Sequence, residues 1–256
     1  MTSHLLSYIP SLPSNLRSVD ARTASLATIG TLTALTSAYI VRDYNQWISF
    51  GSGGTPPTPS GYWRMTKLRW RAYWSGDDMR DPAPLFNVDG PQFLSSELLQ
   101  RRGERPQILA RTMPQRQKPE VLTPSVKDRL HGIPAKYCNE NPDILTLDLS
   151  KTEGKSTDAI YAKPDLPGRH PSAQDKILGN EIAHVHPAEN SLHVWLSGPD
   201  AKTVVEKGWG ERFPLSAMGL CHPSLVMVYA PRSAEDVDVI EEIVKAGVGY
   251  LTGVKI

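Results

Sequence analysis

Glu181–Ser216 reads EIAHVHPAENSLHVWLSGPDAKTVVEKGWGERFPLS, and this stretch decides the fold. Glu181–His186 carries strand-forming residues, Pro187–Asn190 supplies a turn, and Ser191–Ser197 (SLHVWLS) returns as a second strand, so the pair predicts a hairpin. Alternation sends His193, Trp195 and Ser197 to one face and Leu192, Val194 and Leu196 to the other. His184 and His186, two apart, share a face of their own strand at roughly 6–7 Å. Three of the seven histidines therefore fall in one hairpin. Imidazole suits both proton transfer near neutral pH and the binding of transition metals. The expectation is that His184, His186 and His193 converge on one substrate or one divalent metal ion. Pro199–Lys207 predicts a short helix with Pro and Asp in its first turn, Gly208 caps it, and Glu211–Leu215 re-enters extended structure.

Outward from the hairpin, Ile144–Leu149 and Asp158–Ala162 predict strands that join its sheet, and Leu225–Tyr229 predicts a buried one. Ser233 caps a final helix to about Ala246, with Val237, Ile240, Ile243 and Val244 as its core stripe. Phe93–Arg102 (FLSSELLQRR) predicts a helix and Ser125–Leu130 a shorter one, with the prolines of 82–142 stopping either from running far. Lys163–Gln174 predicts a loop placed to lie over the site. Strands mixed with unevenly spaced helices give an α+β class with a mainly antiparallel sheet and flanking helices.

At the N-terminus, Ala24–Val41 (ASLATIGTLTALTSAYIV) is uncharged and about 27 Å long as a helix, enough to cross a thin bilayer. Its threonines and serines lower its hydrophobicity but bond back to helix carbonyls. The organisation expected is a tail and anchor over 1–50, a Gly/Pro linker over 51–61 and a folded domain over 62–256. Tyr62–Trp74 (YWRMTKLRWRAYW) interleaves aromatics with cations, a composition suited to a lipid headgroup layer. Lysine and arginine are more numerous after the anchor than before it, which places the C-terminal domain in the cytosol.

Composition narrows the classes. A net charge of +1 gives no argument for nucleic-acid binding, and Cys138 and Cys221 make neither a disulfide framework nor a cysteine zinc site. No dinucleotide glycine fingerprint, Walker loop or nucleophile-elbow motif occurs.

EIAHVH, SLHVWLS, KGWGERFPLS, Val228-Tyr229-Ala230-Pro231-Arg232 and Ile243–Thr252 (IVKAGVGYLT) together resemble the fungal luciferase family and its non-luminous relatives. The likeness extends to the N-terminal run into Val41-Arg42-Asp43-Tyr44. One departure is Phe213, where the luciferases carry a histidine. The resemblance implies a membrane-associated oxygenase that oxidises a small phenolic or hydroxypyrone-type metabolite with O2, without flavin or ATP. Such chemistry needs a base to form an electron-rich enolate, a dry pocket and donors for developing charge. On that reading His184, His186, His193 and Arg232 are the candidate catalytic residues, and Trp195, Trp209, Arg212 and Tyr229 the candidate substrate contacts. Glu181, on the opposite face of a regular strand, is expected to pair with Arg212 or Arg232. Three alternatives stay open: non-oxidative acid–base tailoring, a cupin-like metal oxygenase suggested by Gly179–Gly198, and a non-catalytic ligand-binding protein.

Overall fold

The computed structural model describes residues 20–94, 98–110, 113–171 and 175–256. Contacts divide the chain into two units, Met1–Gln46 and Trp47–Ile256. Helix α1 (Ala21–Ser49), most of it in the first unit, is long and apolar enough to cross a membrane, with Leu26, Ile29, Leu32 and Leu35 all exposed. Its hydroxyls do bond backward: Ser25 Oγ donates to the Ala21 carbonyl and Thr28 Oγ1 to that of Ala24.

The second unit is an α+β domain around one six-stranded antiparallel sheet: β1 (Leu145–Leu149), β2 (Asp158–Ala162), β3 (Glu181–Val185), β4 (Leu192–Trp195), β5 (Gly210–Arg212) and β6 (Leu225–Val228). The spatial order is β1-β2-β3-β4-β6-β5, so the sheet is open with β1 and β5 as its edges. The hairpin forms as expected, and its register sets His184 opposite His193 and Ala183 opposite Val194. Helices α3 (Pro124–Glu140) and α6 (Ala234–Thr252) pack against β1–β4. Val237, Ile240, Ile243 and Val244 are fully buried, each contributing about 1.5–3 kcal/mol in apolar burial. Gly247 allows close approach, since a Cβ there would meet the Trp195 carbonyl at 2.9 Å and Val194 Cγ1 at 3.0 Å. Among the described residues the other α-helices are α2 (Pro59–Ser75), α4 (Gly198–Glu206) and the single turn α5 (Pro214–Ala217).

β3 is irregular. Opposite β2, Ile160 pairs with Ala183 but Tyr161 pairs with Glu181, so Ile182 is an extra residue. Because Tyr161 shares a face with Ala159, and Ala159 opposes His184, the bulge moves Glu181 onto the His184 face.

Several local expectations are corrected. The described residues of Phe93–Arg102 are not helical; Ser95–Glu97 lie outside the described set. Here the Phe93 and Leu94 N–H groups donate to the buried Asp200 carboxylate and the Arg101 N–H to the Lys207 carbonyl. These tertiary partners outcompete the intrahelical ones, while Leu94 and Leu98 enter the core. The Ser125–Leu130 helix instead runs through Pro134 to Glu140. The lost Pro134 hydrogen bond is offset by burying Leu130, Ile133, Tyr137 and Cys138. The last helix continues to Thr252 and ends at left-handed Gly253. β5 stops at Arg212, with Pro214 and Leu215 already in α5. In the 163–174 loop, 172–174 fall outside the described residues; His170 packs on Tyr250 and donates its N–H to the Leu251 carbonyl, at the end of α6. Residues 51–58 belong to the second unit, with Gly53 and Thr55 buried.

Candidate active site

The hairpin brings the three imidazoles together. Ring centroids lie 5.1 Å apart for His184–His186, 5.3 Å for His184–His193 and 4.7 Å for His186–His193. A cavity of about 280 Å³ sits against them, walled by Gly53, Thr55, Thr152, Glu153, Phe213 and Leu215, together with Glu181, His184 and His193. His186 is not in that wall. It lies just past the end of β3, fully buried, where its Nδ1 is held by Glu189 Oε1 and Ser191 Oγ, both at 2.8 Å. The expectation that both histidines of the first strand face the hollow is corrected to His184 alone, joined by His193.

Arg116, 1% exposed, comes in from the proline-punctuated segment and orders the cluster. Its Nη1 contacts His186 Nε2 at 3.1 Å, its Nη2 bonds Glu153, and its Nε lies 3.7 Å from Glu189 Oε1. A guanidinium only donates, so His186 Nε2 must accept and the His186 proton sits on Nδ1, facing Glu189. His193 Nδ1, 3.3 Å from that same Nε2, is then the donor to it. This leaves the His193 Nε2 lone pair without a partner. His184 Nδ1 is 2.7 Å from Glu181 Oε1 and donates to it, leaving its Nε2 also without a hydrogen-bond partner, 3.7 Å from Glu153 Oε2. Two buried ring nitrogens thus end in one cavity with lone pairs available.

Electrostatics support the assignment. Burial, reinforced by Arg116 and the neighbouring imidazoles, holds His186 and His193 neutral, well below the usual histidine range. Burial alone would raise the Glu181 carboxyl, but hydrogen bonds from His184, Ser150 and Tyr161 bring it down to about 2. Burial pushes Glu189 up to about 7 against the pull of Arg116. The free thiols Cys138 and Cys221 are pushed by burial up to about 11, away from reactivity near neutral pH.

The three rings offer nitrogens within 4.8 Å of one another, a spacing that suits an ion. The donor set does not: His186 Nε2 already accepts from Arg116, and the same cation would sit beside any bound metal. Two lone pairs remain for the cavity, not three.

The other expected site residues lie elsewhere. Trp195 is fully buried against His222, and Trp209 donates its indole N–H to the Leu99 carbonyl. Arg212 spends its guanidinium on the Asp78 and Asp81 carbonyls, and Arg232 pairs with Glu120 and caps Arg102 and Glu104. Tyr229 donates to Glu211 and lines a second cavity of about 710 Å³, which shares Gln115 with the first. Glu181 is corrected from a partner of Arg212 or Arg232 to the partner of His184, because of the bulge.

The Luciferase domain family matches residues 179–247. Curated relatives named Luciferase come from Armillaria gallica, 30% identical over 90% of this chain and 88% of the relative, and from Armillaria ostoyae, 33% identical over 90% of each. A third, from Armillaria mellea, is 33% identical over 84% of this chain and 82% of the relative. No solved structure matches. At the level of the family, these relatives make the chain a luciferase-like oxidoreductase. The chain belongs to the fungal luciferase family.

Proposed function

We propose that this chain is an oxygenase that oxidises a small phenolic or hydroxypyrone-type metabolite with O2, without flavin, ATP or a resident metal ion. The observation that carries the reading is the pair of buried, unpartnered Nε2 atoms of His184 and His193 at one small cavity. His193 Nε2 accepts the acidic proton of the enol or phenol, giving an electron-rich enolate. Carbon adds O2, one C–O bond forms, and the resulting peroxide anion takes the proton back from the imidazolium. Substrate plus O2 thus gives a hydroperoxide with atoms and electrons balanced. Glu181 orients His184 through its Nδ1–H, while Arg116 supports the negative charge from behind His186. Phe213, 4.8 Å from His193, keeps that wall apolar. The cupin-like alternative is set aside on the open sheet, since cupins build double-sheet jelly rolls.

Oxygen uptake with a panel of hydroxypyrones tests the proposal. Uptake is expected with at least one of them, and His193→Gln is expected to lower its rate by about 10²–10⁴-fold. Elemental analysis of untagged protein is expected to find no stoichiometric metal. Uptake that survives His184→Gln/His193→Gln would overturn the assignment; turnover without oxygen consumption would move the same histidines to non-oxidative acid–base chemistry. We further propose that α1 anchors the chain with its C-terminal domain in the cytosol. Protease protection of that domain in sealed microsomes would contradict this orientation.

A further inference from the structure

We propose that α2 is an interfacial helix that docks on the headgroup layer of an anionic phospholipid membrane. This is independent of what the histidine cavity does. α2 is sharply delimited: Thr58 caps it by accepting from Gly61, Pro59 opens it and left-handed Gly76 closes it. Gly61, Met65 and Thr66 are buried, and Leu68 packs against the core. At 3.6 residues per turn, Trp63, Lys67, Trp70 and Trp74 fall within about 60° of one another, on the side opposite Gly61, Met65 and Leu68.

All four are exposed, Trp63 at 60%, Trp70 at 57% and Trp74 at 75%, with Tyr73 beside them at 75%. Three solvated indoles on one stripe form an apolar surface that calls for a partner. Charge identifies it. Arg64, Lys67, Arg69 and Arg71 give the helix four cations, and Pro59–Ser75 contains no aspartate or glutamate. Indoles interleaved with cations match a layer that is apolar below and negatively charged above. Continuity in the chain agrees. α1 ends at Ser49 and α2 begins at Pro59, so a bilayer-embedded α1 keeps the start of α2 within about 35 Å of the surface. Arg64 also lines the histidine cavity, and Arg69, Ala72 and Tyr73 the second one, so docking would set both beside the lipid surface, where an apolar substrate partitions.

Full-length protein in phosphatidylcholine vesicles, with or without phosphatidylserine, tests this, using phosphatidylcholine brominated near the headgroup as quencher. Because three of the six tryptophans ride on the stripe, serine-containing vesicles are expected to quench about half of the emission. The Trp63→Ser/Trp70→Ser/Trp74→Ser variant should keep only the residual quenching of the buried tryptophans. Arg64→Gln/Lys67→Gln/Arg71→Gln should at least halve the effect of phosphatidylserine. Equal quenching of native and tryptophan-substituted protein would overturn the proposal. So would a dimer in detergent that the tryptophan variant dissolves, without lipid quenching, since the stripe would then cover a second copy. Should that variant fail to fold, acrylamide quenching of the native protein decides: tryptophans that stay open to acrylamide on serine-containing vesicles refute docking.

Discussion

At the scale of single residues, Arg116 decides the chemistry of a cluster it does not belong to in sequence. A side chain that can only donate fixes the His186 tautomer, and His186 fixes that of His193. Arg116→Met is expected to cost about 3–5 kcal/mol, because it strands the Glu153 carboxylate in a dry site. Arg116→Met/Glu153→Met should recover part of that stability without recovering turnover. Urea unfolding and oxygen uptake on the same samples check both outcomes, and recovery of turnover along with stability would show the tautomer argument to be wrong. The histidines were legible in the sequence because a strand-turn-strand pattern holds them ten residues apart or less. Arg116 and Glu153 were not, because they reach the site from irregular segments whose packing leaves no periodic trace. Glu181 stands in the same strand, but alternation assumes a regular strand, and one extra residue at Ile182 reverses its face.

At the scale of elements, strands and caps followed from local pattern, while two helices did not. Phe93–Arg102 has a helical composition, yet its backbone N–H groups are taken by Asp200 and Lys207, partners about a hundred residues away that no local window contains. Pro134 is a stop signal in the local pattern, but buried apolar side chains before and after it outweigh one missing hydrogen bond. The start of α4 shows how tight these long-range joints are. Ser197 caps the helix through Asp200 N–H, while a Cβ on Gly198 would sit 1.7 Å from the Val88 carbonyl oxygen. Gly198→Ala is therefore expected to destabilise the domain by about 1–3 kcal/mol or more. A denaturation midpoint equal to the native one would mean that the Val88 segment yields freely.

At the scale of the whole molecule, buried ionisable groups make stability depend on pH in a defined direction. His186 and His193 are depressed below 6.5 in the folded chain, so the stability they contribute is present above 6.5 and lost as pH falls. Glu189 acts the other way. Raised from 4.5 to about 7, it holds a proton in the folded chain that the unfolded chain has released, so acidification through this window favours folding. The two imidazoles together outweigh this single carboxyl, so their balance lowers stability as pH falls below 6.5. Glu181, lowered to about 2, extends the loss below 4.5. Urea titrations at pH 6.5 and 5 measure the slope, and a midpoint that rises on acidification would mean the imidazoles are not buried as neutral groups. The guanidinium and carboxylate that order the histidines, Arg116 and Glu153, both precede residues 179–247, the stretch matched by the Luciferase domain. A fragment cut to those borders would keep the three clustered imidazoles and lose the counterpart that aims them, so the borders of the matched domain are not the borders of competence.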